Sequence, residues 1–399
     1  MCGIAGILHL DDAPVEVDLL HPMTDAIAHR GPDGEGQWAD GPIGLGHRRL
    51  AILDLSEAGR QPMSTPDGRY TISYNGEMYN FREVRRDLEK LGHEFHSESD
   101  TEVIIHAFAE WRENAVDRIN GMFAFAIWDN KRRELFLARD RYGIKPLYWM
   151  RQGDLFVFGS EIKAILAHPR LNAEVDKQAL LEYFTFQNYF TDRTLFQGIS
   201  LFPAGHWWVL RPGIKEETKP FQYWDFNFEE PSNPAPMEEY VEELDRLFQQ
   251  AVHRQLVSDV EVGAYLSGGM DSGSITAIAA QKIPNIKSFT CGFDLHGVSE
   301  LEYGFDERDK AEFMSYLFKT EHYEMVLKAG DMERCLPELS RHLEEPRVGQ
   351  SYPNWYVSKL ASKFVKVVLA GTGGDELFAG YPWRYYRAVK NNDFEDYID

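Results

Sequence analysis

Between Phe226 and Pro236 the chain carries Pro231, Pro234 and Pro236 among asparagines and acids, and the hydrophobic pattern differs on its two sides. Proline fixes φ and donates no amide hydrogen, so such a stretch neither continues a helix nor enters the middle of a sheet. It reads as a linker. The 399 residues exceed what one ordinary core holds, which makes two domains the prior. The expected division is a first domain over 2–210, a linker over 211–236 and a second domain over 237–399.

Ahead of the linker short strands dominate. Gly121 to Asp129 alternates Phe123, Phe125 and Ile127 with alanines, the period of a strand packed by large side chains on one face. Glu134 to Arg139 and Leu155 to Phe158 read the same way. One helix is expected after Asn80 as cap, with Val84, Leu88 and Leu91 before Gly92; another follows Asp100 and Thr101 with Ile104, Ile105, Phe108 and Trp111. Layered sheets flanked by helices follow from this order. Beyond the linker Met237, Tyr240, Val241, Leu244, Leu247, Phe248, Ala251 and Val252 share one helical stripe. Then strand, glycine loop and helix alternate: strand Glu261 to Leu266, loop Ser267 to Ser272, helix Gly273 to Gln281, strand Ile286 to Phe293, and a strand Val365 to Ala370 before Gly371 to Asp375. That alternation implies a parallel, doubly wound sheet.

The formal net charge of −22 opposes binding to nucleic acid or anionic membrane. Cys2, Cys291 and Cys335 are too few and too scattered for a disulfide framework or a zinc site, and a reducing cytosol is their natural compartment. The apolar stretch Gly3 to Leu10 is short, lacks a basic leader and runs into Asp11 and Asp12, unlike a signal peptide. No apolar run approaches the length needed to span a bilayer.

Two patterns carry chemistry. Met1-Cys2-Gly3-Ile4 places a thiol second in the chain. Trimming of the methionine would leave Cys2 with a nucleophile and an α-amine whose ordinary pKa, roughly 7.7–8.0, suits a base at neutral pH. The bland alternative is a small buried residue opening a strand. Ser267-Gly268-Gly269-Met270-Asp271-Ser272 joins a strand to a helix, where glycines admit an anion and a helix N-terminus presents N–H groups. It is no Walker A loop, and a serine-capped turn is its bland reading. Asp271 would repel a phosphate unless Mg²⁺ stood between them. Gly371-Thr372-Gly373-Gly374-Asp375-Glu376 repeats the logic at another strand end, where ligands of such sheets bind.

Taken together these stretches resemble the glutamine-dependent asparagine synthetases. The resemblance covers nearly the whole chain, through Met1 to Ile4, His29 to Asp33, Gly46 to Leu50, Tyr74 to Glu77, Ser99-Asp100, Gly121 to Phe125, Ser267 to Ser272 and Gly373 to Gly380. It implies an N-terminal-nucleophile αββα sandwich, a class II glutamine amidotransferase, followed by an α/β ATP pyrophosphatase domain with a doubly wound parallel sheet. Cys2 would attack the glutamine side-chain amide. Asn75 and Gly76 match the oxyanion hole, Arg49 the carboxylate clamp, and Glu77 and Asp100 the holders of the α-amine. Leu266, Ser267, Gly268, Gly269, Asp271, Ser272, Gly373 and Gly374 match the ATP site, with Asp271 and Asp375 on Mg²⁺. The family activates aspartate as an acyl-adenylate and carries ammonia to it through an internal tunnel; dimers are common. Each residue has a bland rival: Asn75-Gly76 as a hairpin turn, Asp100 as a helix cap, Arg49 as a structural neighbour of Arg48. Arg139-Asp140, Gly143 to Tyr148 and Ser160 to Lys163 also match the family and are assigned to structure or an interface.

Two departures stand out. Thr372 replaces an acid common in the family, which leaves open a ligase that amidates another carboxylate. Family members also continue well past Asp399; whether a fragment or a shortened product, a chain without that segment is expected to keep glutaminase chemistry and lose synthesis. A glutamine-binding regulatory protein with an inactive second site is the remaining alternative.

Overall fold

The structure is a computed structural model that describes residues 1–214, 218–229, 231–295, 306–347, 349 and 351–381. Contacts divide the chain into two units: Met1–Ala235 with Ser340–Gly349, and Pro236–Leu339 with Gln350–Asp399.

In the first unit the strands are β1 (Gly3–His9), β2 (Gly34–Asp40), β3 (Ile43–Arg49), β4 (Met63–Ser64), β5 (Tyr70–Met78), β6 (Gly121–Asp129), β7 (Glu134–Arg139), β8 (Tyr148–Gln152), β9 (Leu155–Gly159), β10 (Ile199–Leu201), β11 (His206–Leu210) and β12 (Phe221–Gln222). They form two antiparallel sheets of six, in the orders β10-β8-β9-β1-β3-β2 and β12-β11-β7-β6-β5-β4. Strand alternation explains the layering. On β1, Ile4 and Leu8 point into a core shared with Ala124, Ala126, Trp128, Leu135 and Leu137 of the other sheet. Ala5 and Ile7 point the other way, into a core with Leu20 and Met23 of α1 (Leu20–Ala26) and Ile162 and Ile165 of α5 (Ile162–Leu166). On the far side of the second sheet Phe108 packs on Phe136 at 4.8 Å between ring centres. Phe108 lies on α3 (Asp100–Trp111), which packs beside α2 (Phe81–Lys90). Helix, sheet, sheet and helix thus make four layers, the expected αββα sandwich. β6 is buried on both faces, with alanines toward the other sheet and phenylalanines toward the helices. Each large apolar side chain so covered contributes about 1.5–3 kcal/mol.

One local expectation is corrected. Asn80 precedes α2 without capping it; its side chain instead accepts from the Asn120 amide at 2.9 Å and donates to the Arg118 carbonyl at 2.9 Å. A long-range pairing has claimed the amide.

The second unit holds α7 (Met237–Gln255), α8 (Met270–Lys282), β13 (Val262–Tyr265), β14 (Lys287–Phe293), β15 (Glu321–Leu327) and β16 (Val367–Leu369). The four strands among its described residues are parallel, in the order β15-β14-β13-β16. The order reverses between β13 and β16, the switch point where doubly wound sheets bind ligands. β15 was not expected: its Glu-His-Tyr-Glu run is half exposed at the sheet edge and lacks a strand's apolar signature. The loop after β13 is also shorter than Ser267 to Ser272. The Gly273 amide bonds the Gly269 carbonyl at 3.1 Å, which starts α8 at Met270 and puts Asp271 and Ser272 in its first turn. Along α7 only Val252 is buried, with Phe248 packed partly beside it; the stripe from Met237 to Leu247 is exposed.

Candidate active site

Cys2 immediately precedes β1, so the central strand of a sheet delivers the chain end into the unit. Its Sγ accepts from the Leu50 amide at 3.3 Å, and its carbonyl accepts from Arg30 Nε at 2.9 Å. Burial pushes the thiol upward, while the Leu50 bond and the adjacent terminal amine oppose that shift. The terminal amine here belongs to Met1, and burial lowers it to about 5.

β5 supplies the next group. Tyr74 is fixed on three sides: its amide donates to Gln61 Oε1 at 2.7 Å, its carbonyl meets His47 Nε2 at 3.0 Å, and its hydroxyl donates to Asp100 Oδ2 at 2.9 Å. Gln61 in turn donates to Thr101 at 3.0 Å, which ties β5 to α3. Burial lowers His47 to about 4, so it is neutral at ordinary pH. Asn75 follows on this immobilised backbone, 0% exposed, and neither atom of its amide has a partner among the described residues. Gly76 comes next, and a Cβ there would lie 2.4 Å from the Tyr74 ring and 2.5 Å from the Met122 carbonyl. Asn75 pairs with Ala124 and Gly76 with Phe123 in the middle of β5 and β6, which excludes the hairpin-turn reading.

Asp100 is in the first turn of α3, but the cap is Ser99, which accepts from Thr101. The Asp100 carboxylate faces β5 and accepts from Tyr74 and from the Met78 amide at 2.9 Å. Its burial raises its pKa despite those bonds, and its charge acts on the Cys2 thiol. Glu77, next to Gly76 in sequence, is half-buried. The two arginines at the end of β3 differ. Arg48 is committed to Asp25 and Glu35. Arg49 donates to the Ser56 carbonyl at 2.7 Å and to the Asp54 carbonyl.

In the second unit the two glycine loops meet. Ideal Cβ atoms on Gly371 and Gly374 would lie 2.9 Å and 2.2 Å from the Asp271 side chain, so glycine alone lets that carboxylate in. Among the described residues no cation forms an ion pair with Asp271. Leu266 is buried beneath the loop. The hydroxyls of Ser267 and Ser272 bond each other at 2.9 Å, and Gly269 N donates to Ser267 at 3.2 Å. Gly373, with φ of +101°, leads into the helix Gly374–Phe378, and Asp375 in its first turn lies under Gly380. Thr372 is exposed.

The description "Glutamine amidotransferase domain" matches residues 1–224, and "Asparagine synthase" matches 243–399. The chain is 40% identical to asparagine synthetase [glutamine-hydrolyzing] 3 of Bacillus subtilis, aligning over 98% of this chain and 65% of the relative. It is 36% identical to asparagine synthetase 1 of the same organism, over 96% and 59%. A putative asparagine synthetase of Methanocaldococcus jannaschii is 34% identical over 96% and 76%. The chain belongs to the glutamine-hydrolysing asparagine synthetase family. It spans roughly three-fifths to three-quarters of the length of these relatives. No helix of the described residues is long and apolar enough to cross a membrane.

Within this family member the structure also brings forward groups to which motif reading gave no site role: Tyr74 and Gln61, which fix β5; Arg30, on the Cys2 carbonyl; and Lys145, 4% exposed with Nζ 3.0 Å from Met1 Sδ. Lys145 stood in a matching stretch assigned to structure, and only its burial singles it out.

Proposed function

We propose that this chain is a glutamine-hydrolysing asparagine synthetase acting through Cys2. After removal of Met1, the freed α-amine takes the thiol proton and the sulfur attacks the amide carbon of glutamine. Asn75 and the Gly76 amide receive the charge on the carbonyl oxygen. The C–N bond then breaks, ammonia leaves with the proton from the amine, and water hydrolyses the thioester to glutamate and the thiol. Arg49 clamps the glutamine carboxylate, and Asp100 with Glu77 holds its α-amine. One observation carries this reading: a buried amide with no partner among the described residues, on a strand held rigid by three hydrogen bonds, next to a glycine that tolerates no side chain. An unpaired buried amide costs stability and persists where a ligand completes it.

The second unit is proposed to bind ATP between the loops after β13 and β16, through Leu266, Ser267, Gly268, Gly269, Asp271, Ser272, Gly373 and Gly374. An aspartate carboxylate attacks the α-phosphorus, pyrophosphate departs, and ammonia displaces AMP to give asparagine. Asp271 and Asp375 would hold Mg²⁺ together with the phosphates, a donor set that suits this ion. Asp271, cradled by glycines and without an ion-pair partner among the described residues, fits that part. Bound Mg²⁺ supplies neutralisation of charge on the leaving pyrophosphate. A cytoplasmic enzyme with free thiols accords with its three unpaired cysteines.

The test is glutamate release from glutamine by the full chain and by Cys2→Ala, beside synthesis fed with free ammonium and a panel of carboxylates including aspartate. The variant is expected to release no glutamate while ATP binding persists. Undiminished glutamate release overturns the proposal.

A further inference from the structure

Lys145 is buried, yet among the described residues no carboxylate forms an ion pair with it. The loop that carries it is built for the purpose. The Asp140 carboxylate accepts from the amides of Phe123 (3.1 Å), Tyr142 (3.2 Å), Ile144 (2.9 Å) and Lys145 (3.0 Å). Arg139 donates to the carbonyls of Lys145 (2.8 Å), Gly143 (2.6 Å) and Phe202. Gly143 turns at φ +64°, where a Cβ would lie 3.0 Å from the Arg139 guanidinium. Five of these bonds fix the backbone of residues 142–145 and deliver one side chain inward. Its ammonium ends on the thioether of Met1, a weak acceptor. A cation buried on so little is costly unless a charge elsewhere uses it.

We infer that Lys145 is a positioning residue of the glutaminase site, facing Cys2 once Met1 is removed and favouring both the thiolate at sulfur and the neutral form of the new α-amine. This rests on the glutamine-hydrolysis reading above. One positive charge pushes both groups the useful way, because it stabilises the anion and destabilises the ammonium. The field of Lys145 already lowers both the Cys2 thiol and the terminal amine, and burial brings Lys145 itself to about 8. The other charges facing this cluster are Arg30, Asp33, Glu77, Asp100 and Asp140. Arg30 has the same sign as Lys145, but it is engaged by Glu161 and by the Cys2 carbonyl. Asp100 and Asp33 oppose it.

The experiment measures iodoacetamide alkylation of Cys2 against pH, by mass spectrometry on the full chain, with the kcat/KM profile for glutamine alongside. In K145M the alkaline-going limb of both curves is expected to move up by about one unit, with alkylation near neutrality falling about tenfold. K145R is expected to restore most of it. The Tm of K145M should not drop, since an unpaired buried charge is removed; K145Q serves as a second neutral variant. An unmoved limb in folded K145M and K145Q overturns the inference. Alkylation reads the thiol without requiring turnover, so this failure is distinct from that of the glutaminase reading, which Cys2→Ala decides.

Discussion

A buried amide that bonds to nothing among the described residues is a cost carried for something else. For Asn75, removal of that cost and loss of the proposed donor can be separated. Asn75→Ala is expected to reduce glutamine hydrolysis by about 10²–10³-fold. Its Tm should hold or rise, because no hydrogen bond among the described residues is lost. A parallel fall in Tm and activity would mark Asn75 as structural. Glu161 shows the opposite economy. It pairs with His29, Arg30 and Lys163, and with its bonds to them it is held far below the ordinary carboxylate range. A depressed folded value means that its stability is present above the unfolded pKa of about 4.3 and is lost as pH falls toward the lower folded value. The stability gap between wild type and Glu161→Gln should therefore stay level above about pH 5.5 and close on acidification. Denaturant titrations across that range check it. At this scale Cys2, Asn75, Asp100 and Asp271 could be singled out from motifs. Lys145 could not: its stretch is assigned to structure or an interface, and its burial depends on Arg139, Asp140 and Phe202, up to 57 positions away.

Elements explain why single atoms matter here. β5 has the second sheet's β6 on one edge and meets α3 through Gln61 and Asp100, so it cannot shift without breaking several buried bonds. Gly76→Ala forces a methyl against the Tyr74 ring and the Met122 carbonyl, and should cost about 2 kcal/mol of stability along with the proposed oxyanion donor. Gly374→Ala would meet Asp271 Oδ2 at 2.2 Å. It should weaken binding of ATP with Mg²⁺ in calorimetry while leaving glutamine hydrolysis in place. Strands with a clean period, such as β6 and β7, were legible in the sequence, and the change to strand-loop-helix order announced the parallel sheet. The start of α8 was not, because a glycine carbonyl at 269 takes up the first helical bond three residues before propensity would suggest it. β15 escaped because an edge strand need not be apolar.

For the molecule as a whole, two units with separate cores imply separate responses. ATP with Mg²⁺ should protect amides of 266–272 and 371–377 from hydrogen exchange and leave 70–78 unchanged, whereas a glutamine analogue trapped on Cys2 should do the reverse. Protection spread evenly by either ligand would contradict this. The route of the chain has a practical corollary. Ser340–Gly349 is counted with the first unit. Glu344 there accepts from the amides of Ile162 (2.8 Å) and Lys163 (2.6 Å), and Glu345 from that of Leu195 (2.8 Å). A gene cut at Pro236 would therefore yield an amino-terminal product missing its own carboxylate clasps, and a short synthetic peptide spanning 340–349 is the natural reagent for complementing it.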